Sequence, residues 1–181
     1  MARTVRQRLQ QAAVELFAER GFDGTTAAEI AAAVGVTERT FFRHFADKRE
    51  ALFDGQAVLT EGLTEAIMAA PDDRAPMDTL FDAFHAVIPL LEANRAFSVP
   101  RHAVIAATPA LQEREVAKSA ALAEALARAL RDRGVPDQVA SLAAGVGMTV
   151  FAQVTVAWLH DPGTGLARRL DAARDALRSL T

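Results

Sequence analysis

The stretch from residue 25 to residue 48 constrains the fold of this chain more than any other. It reads TTAAEIAAAVGVTERTFFRHFADK and predicts two short helices that meet at a glycine turn. Thr26 and Glu29 have the spacing of a capping box, which starts a helix by satisfying its free backbone N–H groups. Gly35 lies where the end of a helix favours a left-handed residue, and Thr37 can cap the next helix. These signals predict a helix-turn-helix unit.

The second helix of this unit has one face for the interior and one face that needs another explanation. Phe41 and Phe45 lie four residues apart, so they should pack inward together. The other face and its flanks carry two arginines, one aromatic ring and several polar groups: Glu38, Arg39, Thr40, Phe42, Arg43 and His44. A DNA major groove admits a helix, arginine pairs with guanine through two hydrogen bonds, and apolar groups contact the thymine methyl. The pattern favours a recognition helix; the alternative is a solvated face with a stray phenylalanine.

The longer stretch TTAAEIAAAVGVTERTFFRHFADKREAL resembles the DNA-binding segment of TetR/AcrR-type transcriptional regulators. The matching residues are Thr26, Ile30, Ala31, Gly35, Val36, Thr40, Phe42, His44, Phe45 and Lys48. The family often has a small residue where this chain has Arg39, and it usually has tyrosine where this chain has Phe42. The first difference adds a candidate for base reading, and the second removes a hydroxyl that could bond a phosphate. Both differences concern the operator sequence.

We expect this helix to read bases and its neighbours to hold phosphates. The predicted base contacts are Glu38, Arg39, Phe42 and Arg43, the last also a candidate for a phosphate. The predicted phosphate contacts are Thr26, Thr40, His44, Lys48 and Arg3. Arg3, Arg6 and Arg8 lie near the start of the first predicted helix, where positive charge opposes the helix dipole. A DNA backbone would use these arginines; the alternative is a solvated chain end.

Charge and composition fit a small DNA-reading head on a larger body. The net charge is −3, with 20 basic and 23 acidic residues. Residues 1–49 contain eight basic and six acidic residues, which leaves twelve and seventeen for the remainder. The absence of cysteine excludes disulfides, thiolate metal sites and cysteine nucleophiles. Neither a signal peptide nor an uninterrupted apolar run of about 18 residues occurs, so we expect a cytoplasmic protein without a membrane partner.

Apolar residues at helical spacing predict an all-α protein with about nine helices. We expect a three-helix head at residues 1–47 and a ligand-binding and dimerisation body at residues 48–181. In the body, helices are expected at about 47–70, 77–93, 95–107, 109–133, 137–158 and 165–179. The clearest break is PDDRAP at residues 71–76. Pro89 should bend or divide its helix, and Pro100 should interrupt the segment that follows.

Two helices of the body predict a homodimer. The run LAAGVGMTVFAQVTVAWL is apolar on most sides, and the last helix carries a stripe of Leu166, Leu170, Ala173 and Leu177. We expect both helices to pack against their copies in a second subunit and to form a four-helix interface. The dimer would present two heads to a palindromic double-stranded DNA operator. The alternative is that both helices are core of a monomer.

The resemblance also implies a ligand pocket in the body and release from DNA when a small molecule binds. An apolar cavity with few polar groups could be lined by Phe81, Phe84, His85, Phe97, Arg101, His102, Ile105, Phe151 and Trp158. An apolar or weakly anionic ligand would enter there and displace the helix that links head and body. The alternatives are that the aromatic residues are plain core and the histidines structural, and that the regulator is constitutive.

Catalysis is not predicted for this chain. Asp82 and His85 have the spacing of one metal-ligand pair, but carboxylate sites in helical bundles need several such pairs. Neither a serine nucleophile elbow nor a phosphate-binding glycine loop occurs. The sequence therefore predicts a transcriptional regulator, a repressor, that has no cofactor and no metal; a small helical enzyme is the remaining alternative.

Overall fold

The computed structural model describes residues 3–180, and most of these residues lie in α-helices. The helices in this range are α1 (Val5–Arg20), α2 (Ala27–Ala33), α3 (Glu38–His44), α4 (Glu50–Phe53), α5 (Gln56–Ala69), α6 (Pro76–Ala86), α7 (Ile88–Ala93), α8 (Arg95–Ala106), α9 (Pro109–Asp132), α10 (Asp137–His160) and α11 (Leu166–Arg178). The predicted all-α fold class is confirmed.

Two of the expected helices are each divided, which accounts for eleven helices between residues 3 and 180. The helix expected from residue 47 is split into α4 and α5, and the next one is split into α6 and α7 at Val87. Pro89 lies in the first turn of α7, where its missing N–H costs no hydrogen bond. Pro100 differs from expectation because α8 continues through it. It lies in the second turn, so the interruption that we expected is limited to one backbone hydrogen bond.

The chain forms two compact units, which are described separately. Unit 1 contains residues up to 56 together with residues 96–116, and unit 2 contains residues 57–95 and those from 117 onward. This division follows packing; the functional boundary expected at residue 48 stays a prediction. Segments that are distant in sequence build each unit, because helices bury their apolar faces against whichever neighbours complete a core.

The core of unit 1 holds the head together. Its largest fully buried side chains include Leu9, Ile30, Phe41, Leu52 and Leu111. They come from five helices, α1 to α4 and α9, and α8 adds two more buried residues to the same cluster. Phe17 and Phe22 also pack together, with ring centroids 5.1 Å apart. The outer surfaces of α2 and α3 therefore rest on a continuous apolar support.

The core of unit 2 is built around α6, α10 and α11. The rings of Phe84 and Phe151 are stacked with centroids 4.5 Å apart, and Phe81 meets Phe84 edge-on at 5.8 Å. Gly147 lies against these side chains: a Cβ there would come within 3.2 Å of Leu80. The glycine thus permits close approach of α10 to α6.

The two helices expected to form a dimer interface differ in how they are buried. Leu166 and Leu170 of α11 are fully buried in the core of unit 2, so this part of the leucine stripe packs inside its own subunit, contrary to our expectation. The stripe completes the core because it is the only apolar face of a strongly amphipathic helix. By contrast, α10 leaves Val139, Leu142 and Val146 exposed, with 62% exposure for Leu142.

By length and composition α10 could cross a membrane. Eight of its residues are nevertheless buried in the structure, among them Ala140, Met148, Phe151 and Trp158. Buried core helices satisfy the same length and composition criterion as membrane spans. We therefore interpret α10 as a core helix with one uncovered apolar face.

Candidate nucleic-acid interface

The predicted caps of the two-helix unit are present. The Thr26 hydroxyl accepts from the Glu29 N–H at 3.2 Å, and the Glu29 carboxylate accepts from the Thr26 N–H at 2.8 Å. Gly35 has φ +74°, the left-handed region that favours glycine. The Thr37 side chain accepts from the Thr40 N–H at 3.2 Å and starts α3. Residues close in sequence thus set both helix ends and the turn.

α3 rests on unit 1 through two aromatic side chains. Phe41 is fully buried and Phe45 is 3% exposed, and their ring centroids lie 5.4 Å apart. The guanidinium of Arg6 lies 5.1 Å above the Phe45 ring and makes a bidentate ion pair with Asp54. This ion pair raises the pKa of Arg6, chiefly through the hydrogen bonds to Asp54. Arg6 therefore has a partner within the protein, which neither explanation offered for the N-terminal arginines included.

The opposite face of α3 is open to solvent. Glu38, Arg39 and Arg43 are exposed, and Phe42 is 50% exposed although it is a large apolar side chain. The side chains of Arg39 and Arg43 make no hydrogen bond or ion pair with any other residue between 3 and 180. Two guanidinium groups and one aromatic ring are thus available on a short helix, which suits the hydrogen bonds and methyl contacts of a DNA major groove.

The hydroxyls predicted to hold phosphates already have partners within the protein. The Thr26 hydroxyl lies 2.8 Å from Glu29 Oε2, and the Thr40 hydroxyl lies 3.1 Å from the Thr37 hydroxyl. A phosphate could accept a hydrogen bond from either hydroxyl only in competition with these partners. Among the other predicted contacts, Arg3 is exposed, and His44 is half-buried with an Nε2 that finds no hydrogen-bond partner among the described residues.

Lys48 is held inside unit 1, in a way that the sequence did not indicate. Its Nζ donates to the carbonyl oxygens of Phe22 at 2.7 Å and Thr25 at 2.9 Å, and it lies 4.2 Å from the centroid of the Phe22 ring. The two carbonyls are 26 and 23 residues away in sequence, so no local pattern could have indicated them. Its predicted role as a phosphate contact is untested.

Two arginines of unit 1 bind α4 through a hydrogen bond and an ion pair. Arg101 donates to the carbonyl of Leu52 at 2.5 Å, lies 5.1 Å above the Phe53 ring and pairs with Glu115 at 2.8 Å. Arg114 pairs with Glu50 at 2.7 Å. Because α4 is only four residues long, these contacts supply order that its own hydrogen bonds cannot. No sequence pattern indicated this arrangement, and Arg101 was expected to line a ligand pocket.

The nine residues expected to line one pocket are distributed between two units. Phe97, Arg101, His102 and Ile105 belong to unit 1, and Phe81, Phe84, His85, Phe151 and Trp158 belong to unit 2. The phenylalanines of unit 2 pack on one another as core, and His85 Nε2 lies 3.1 Å from the carboxylate of Asp171. Within unit 2 these contacts match the alternative of core aromatics and a hydrogen-bonded histidine, and the pocket formed by all nine residues stays a prediction.

A groove of about 500 Å³ occurs elsewhere in unit 2. None of the nine residues lines it; its walls are Val58, Glu61, Gly62, Glu65, Ala66, Ala69, Ala86, Val87 and Leu90. Glu61 and Glu65 are the charged groups of this lining, and both are exposed. Small and apolar side chains form the rest, so the groove favours an apolar molecule without negative charge.

No group of three or more metal-ligating side chains occurs among residues 3–180. Asp82, half of the one pair noted in the sequence, forms an ion pair with Arg74 at 2.8 Å. His85, the other half, faces Asp171. The two side chains thus have separate partners.

Comparison with known proteins agrees with this geometry. Residues 9–54 match the sequence profile described as bacterial regulatory proteins, tetR family. The chain is 38% identical over 86 residues to the HTH-type transcriptional regulator TcmR of Streptomyces glaucescens; the match covers 48% of this chain and 38% of TcmR. It is 29% identical over 185 residues to the putative mycofactocin biosynthesis transcriptional regulator MftR of Mycobacterium tuberculosis, covering 96% of this chain and 89% of MftR.

Among solved structures, the chain resembles the FadR of Thermus thermophilus, a TetR-family transcriptional repressor in complex with lauroyl-CoA. The sequence identity is 27% and the TM-score is 0.60, with 95% of this chain and 92% of that chain covered. Helices therefore follow the same order along nearly the whole of both chains.

Proposed function

We propose that this chain, whose residues 9–54 match the tetR family of bacterial regulatory proteins, is a DNA-binding transcriptional regulator, a repressor that a small apolar ligand releases from its operator. The observation that carries the proposal is the exposed face of α3. The side chains of Arg39 and Arg43 have no hydrogen-bond or ion-pair partner among the described residues. Phe42 is half exposed beside the buried Phe41. Such a protein would act in the cytoplasm, where the chromosome lies.

On the operator, Arg39 and Arg43 each form two hydrogen bonds with a guanine, and a phosphate contact is the alternative role of Arg43. Phe42 contacts a thymine methyl, and Glu38 accepts from a cytosine amine. Arg3, Thr26, Thr40 and His44 remain the proposed phosphate contacts. The exposed, unpaired arginines support these roles because an isolated guanidinium gains most from a partner that supplies paired acceptors.

The uncovered face of α10 supports a homodimer. Val139, Leu142 and Val146 are exposed at helical spacing, and the next turns continue with exposed Thr149 and Ala152. A second copy of the same face would cover these side chains in a two-fold interface. The dimer would then place two copies of α3 on the half-sites of a palindromic operator.

The groove lined by α5, α6 and α7 supports a ligand-binding role for unit 2. The relative from Thermus thermophilus was solved with lauroyl-CoA, a molecule with a long apolar chain. In this chain Glu61 and Glu65 would repel an anionic ligand, so we propose an uncharged or cationic apolar ligand rather than the weakly anionic one considered from sequence.

Selection of binding sites from random DNA, followed by titration of the selected duplex, tests DNA binding directly. We expect one palindromic sequence and a dimer on it. Failure to bind any duplex at low salt would refute the proposal, since the phosphate-dependent part of binding is strongest there.

The ligand part has a separate test on the same duplex. A library of apolar compounds is added, and a responding compound is then tested on Ala69→Phe, which fills the groove, and on Ala120→Phe, an exposed alanine outside it. We expect only Ala69→Phe to lose the response. A constitutive regulator is the second candidate, favoured by the tight packing of Phe84 on Phe151, and it predicts no response to any compound.

A further inference from the structure

Lys48 Nζ has two carbonyl acceptors and one aromatic ring close to it. Its Nζ donates to two backbone carbonyls, those of Phe22 and Thr25, at 2.7 and 2.9 Å. Nζ also lies 4.2 Å from the centroid of the Phe22 ring. An ammonium group has three donors and no acceptor, and an aromatic face attracts a cation. The side chain is also half-buried, and two of its three donors are used inside the protein.

The segment that Lys48 holds leads directly into α2. Thr25 is fully buried, and its hydroxyl donates to the carbonyls of Gly21 at 3.0 Å and Leu16 at 3.3 Å. Thr26, the next residue, is the N-cap of α2. The segment is therefore held by α1 through the Thr25 hydroxyl and by Lys48 through the Thr25 carbonyl.

Lys48 itself follows α3 by four residues, because that helix ends at His44. Its hydrogen bonds therefore connect the chain after α3 to the chain before α2. These two helices form the helix-turn-helix, and the turn between them connects only their other ends. A second connection at the open ends restricts the angle between the two helices.

We propose that Lys48 is a positioning residue for DNA binding, which fixes α2 relative to α3, and not a phosphate ligand. This inference rests on the proposed function, because positioning matters only if α3 enters a groove. A phosphate that drew Lys48 away from this site would take a hydrogen-bond partner from the Thr25 carbonyl, and a buried acceptor left without a partner costs free energy. A small error in helix orientation would weaken binding to every sequence, since phosphate contacts set the register on the duplex.

Salt dependence separates positioning from phosphate contact. Each phosphate contact contributes about 0.9 to the slope of log K against log salt on duplex DNA. Lys48→Met and Arg43→Met are compared with the unmodified protein on a random-sequence duplex, between about 50 and 200 mM salt. The temperature is one at which circular dichroism shows all three folded. We expect Lys48→Met to weaken binding about tenfold with an unchanged slope. Arg43→Met should reduce the magnitude of the slope by about one if Arg43 contacts a phosphate.

Amide hydrogen exchange supplies a readout that does not depend on DNA. Lys48→Met should lose protection at residues 25–30, around the start of α2, while Arg43→Met keeps it. A slope lowered by about one in Lys48→Met, with unchanged protection at residues 25–30, would overturn the inference. If the unmodified protein binds no DNA, the proposed function fails, and so does the positioning role that rests on it, even where exchange shows that the carbonyl contacts stabilise α2.

A measurement on the unmodified protein covers the case in which Lys48→Met does not fold. The ammonium ¹⁵N signal of Lys48 is followed by NMR during a titration with duplex DNA. We expect scalar couplings from Nζ to the carbonyl carbons of Phe22 and Thr25 in both the free and the bound protein. Loss of both couplings on binding, with a large shift of the ammonium signal, would show that a phosphate has replaced the carbonyls and would refute the proposal.

Discussion

At the scale of single residues, adjacent positions on α3 have opposite roles. Phe41 is fully buried and supports the helix, whereas Phe42 is half exposed and its ring meets that of Phe41 edge-on at 5.5 Å. Arg39 and Arg43 share the exposed side with Phe42. Because burial decides the cost of removing a side chain, substitutions on the two sides of this helix should separate stability from DNA binding.

Truncation of the two phenylalanines tests this separation. Phe41→Ala should lower the free energy of unfolding by about 3–5 kcal/mol, because it leaves a cavity in the core of unit 1. Phe42→Ala should change it by less than about 0.5 kcal/mol but weaken operator binding. Chemical denaturation and titration of the selected duplex measure the two quantities. Equal loss of stability in both variants would contradict the assignment of faces.

Arg39 provides the corresponding test of base reading. Arg39→Ala should lose about 1–3 kcal/mol of binding free energy at one base pair and relax the choice of base there. Binding to a panel of single-base variants of the selected operator measures this effect. Arg128→Ala, an exposed arginine of α9, is the matched control. A uniform loss across the panel for Arg39→Ala would instead indicate a phosphate contact.

At the scale of elements, short helices depend on their caps. α2 has only seven residues, so the reciprocal hydrogen bonds of Thr26 and Glu29 satisfy a large share of its free ends. Two bonds, to the Thr26 N–H and then to its hydroxyl, lower the pKa of Glu29 below its ordinary value. Four-residue α4 depends instead on side chains from α8 and α9.

The lowered pKa of Glu29 predicts an acid-sensitive α2. Because the folded state binds a proton at Glu29 less readily than the unfolded state, the cap stabilises the fold above the ordinary glutamate pKa of about 4.3. That contribution is lost as the pH falls through the lower folded pKa. Thermal unfolding between about pH 3 and pH 7 should show a smaller acid-dependent decrease in Tm for Glu29→Gln than for the unmodified protein. Identical pH profiles for both proteins would contradict this prediction.

At the scale of the whole molecule, α10 has an apolar face that no other part of the described chain covers. Its inner face completes the core of unit 2, and its outer face carries the exposed Leu142 and Val146. Large apolar patches on a soluble protein mark interaction surfaces. A second copy is the occupant that we propose, because a two-fold interface covers the same face on both copies.

A charge on this face should separate the subunits. Leu142→Glu should convert the dimer to a monomer in sedimentation experiments, because the carboxylate would be buried without a partner. It should also weaken operator binding, since each monomer contacts one half-site. Val116→Glu, on an exposed residue of α9, should leave the dimer intact. A Leu142→Glu protein that sediments as the unmodified dimer would exclude this face.

The amino-acid sequence by itself determined the all-α class, the caps at Thr26 and Thr37, the left-handed Gly35 and the two faces of α3. These features arise from contacts within four residues, where helical periodicity and cap chemistry act directly. Tertiary structure alone decided the environment of Lys48, the contacts of Arg101 and Arg114 with α4, and which leucines of the body are buried. The contacts of Lys48 with Thr25, of Arg101 with Leu52 and of Arg114 with Glu50 span 23 to 64 residues. Only the packing of the helices brings such distant residues together.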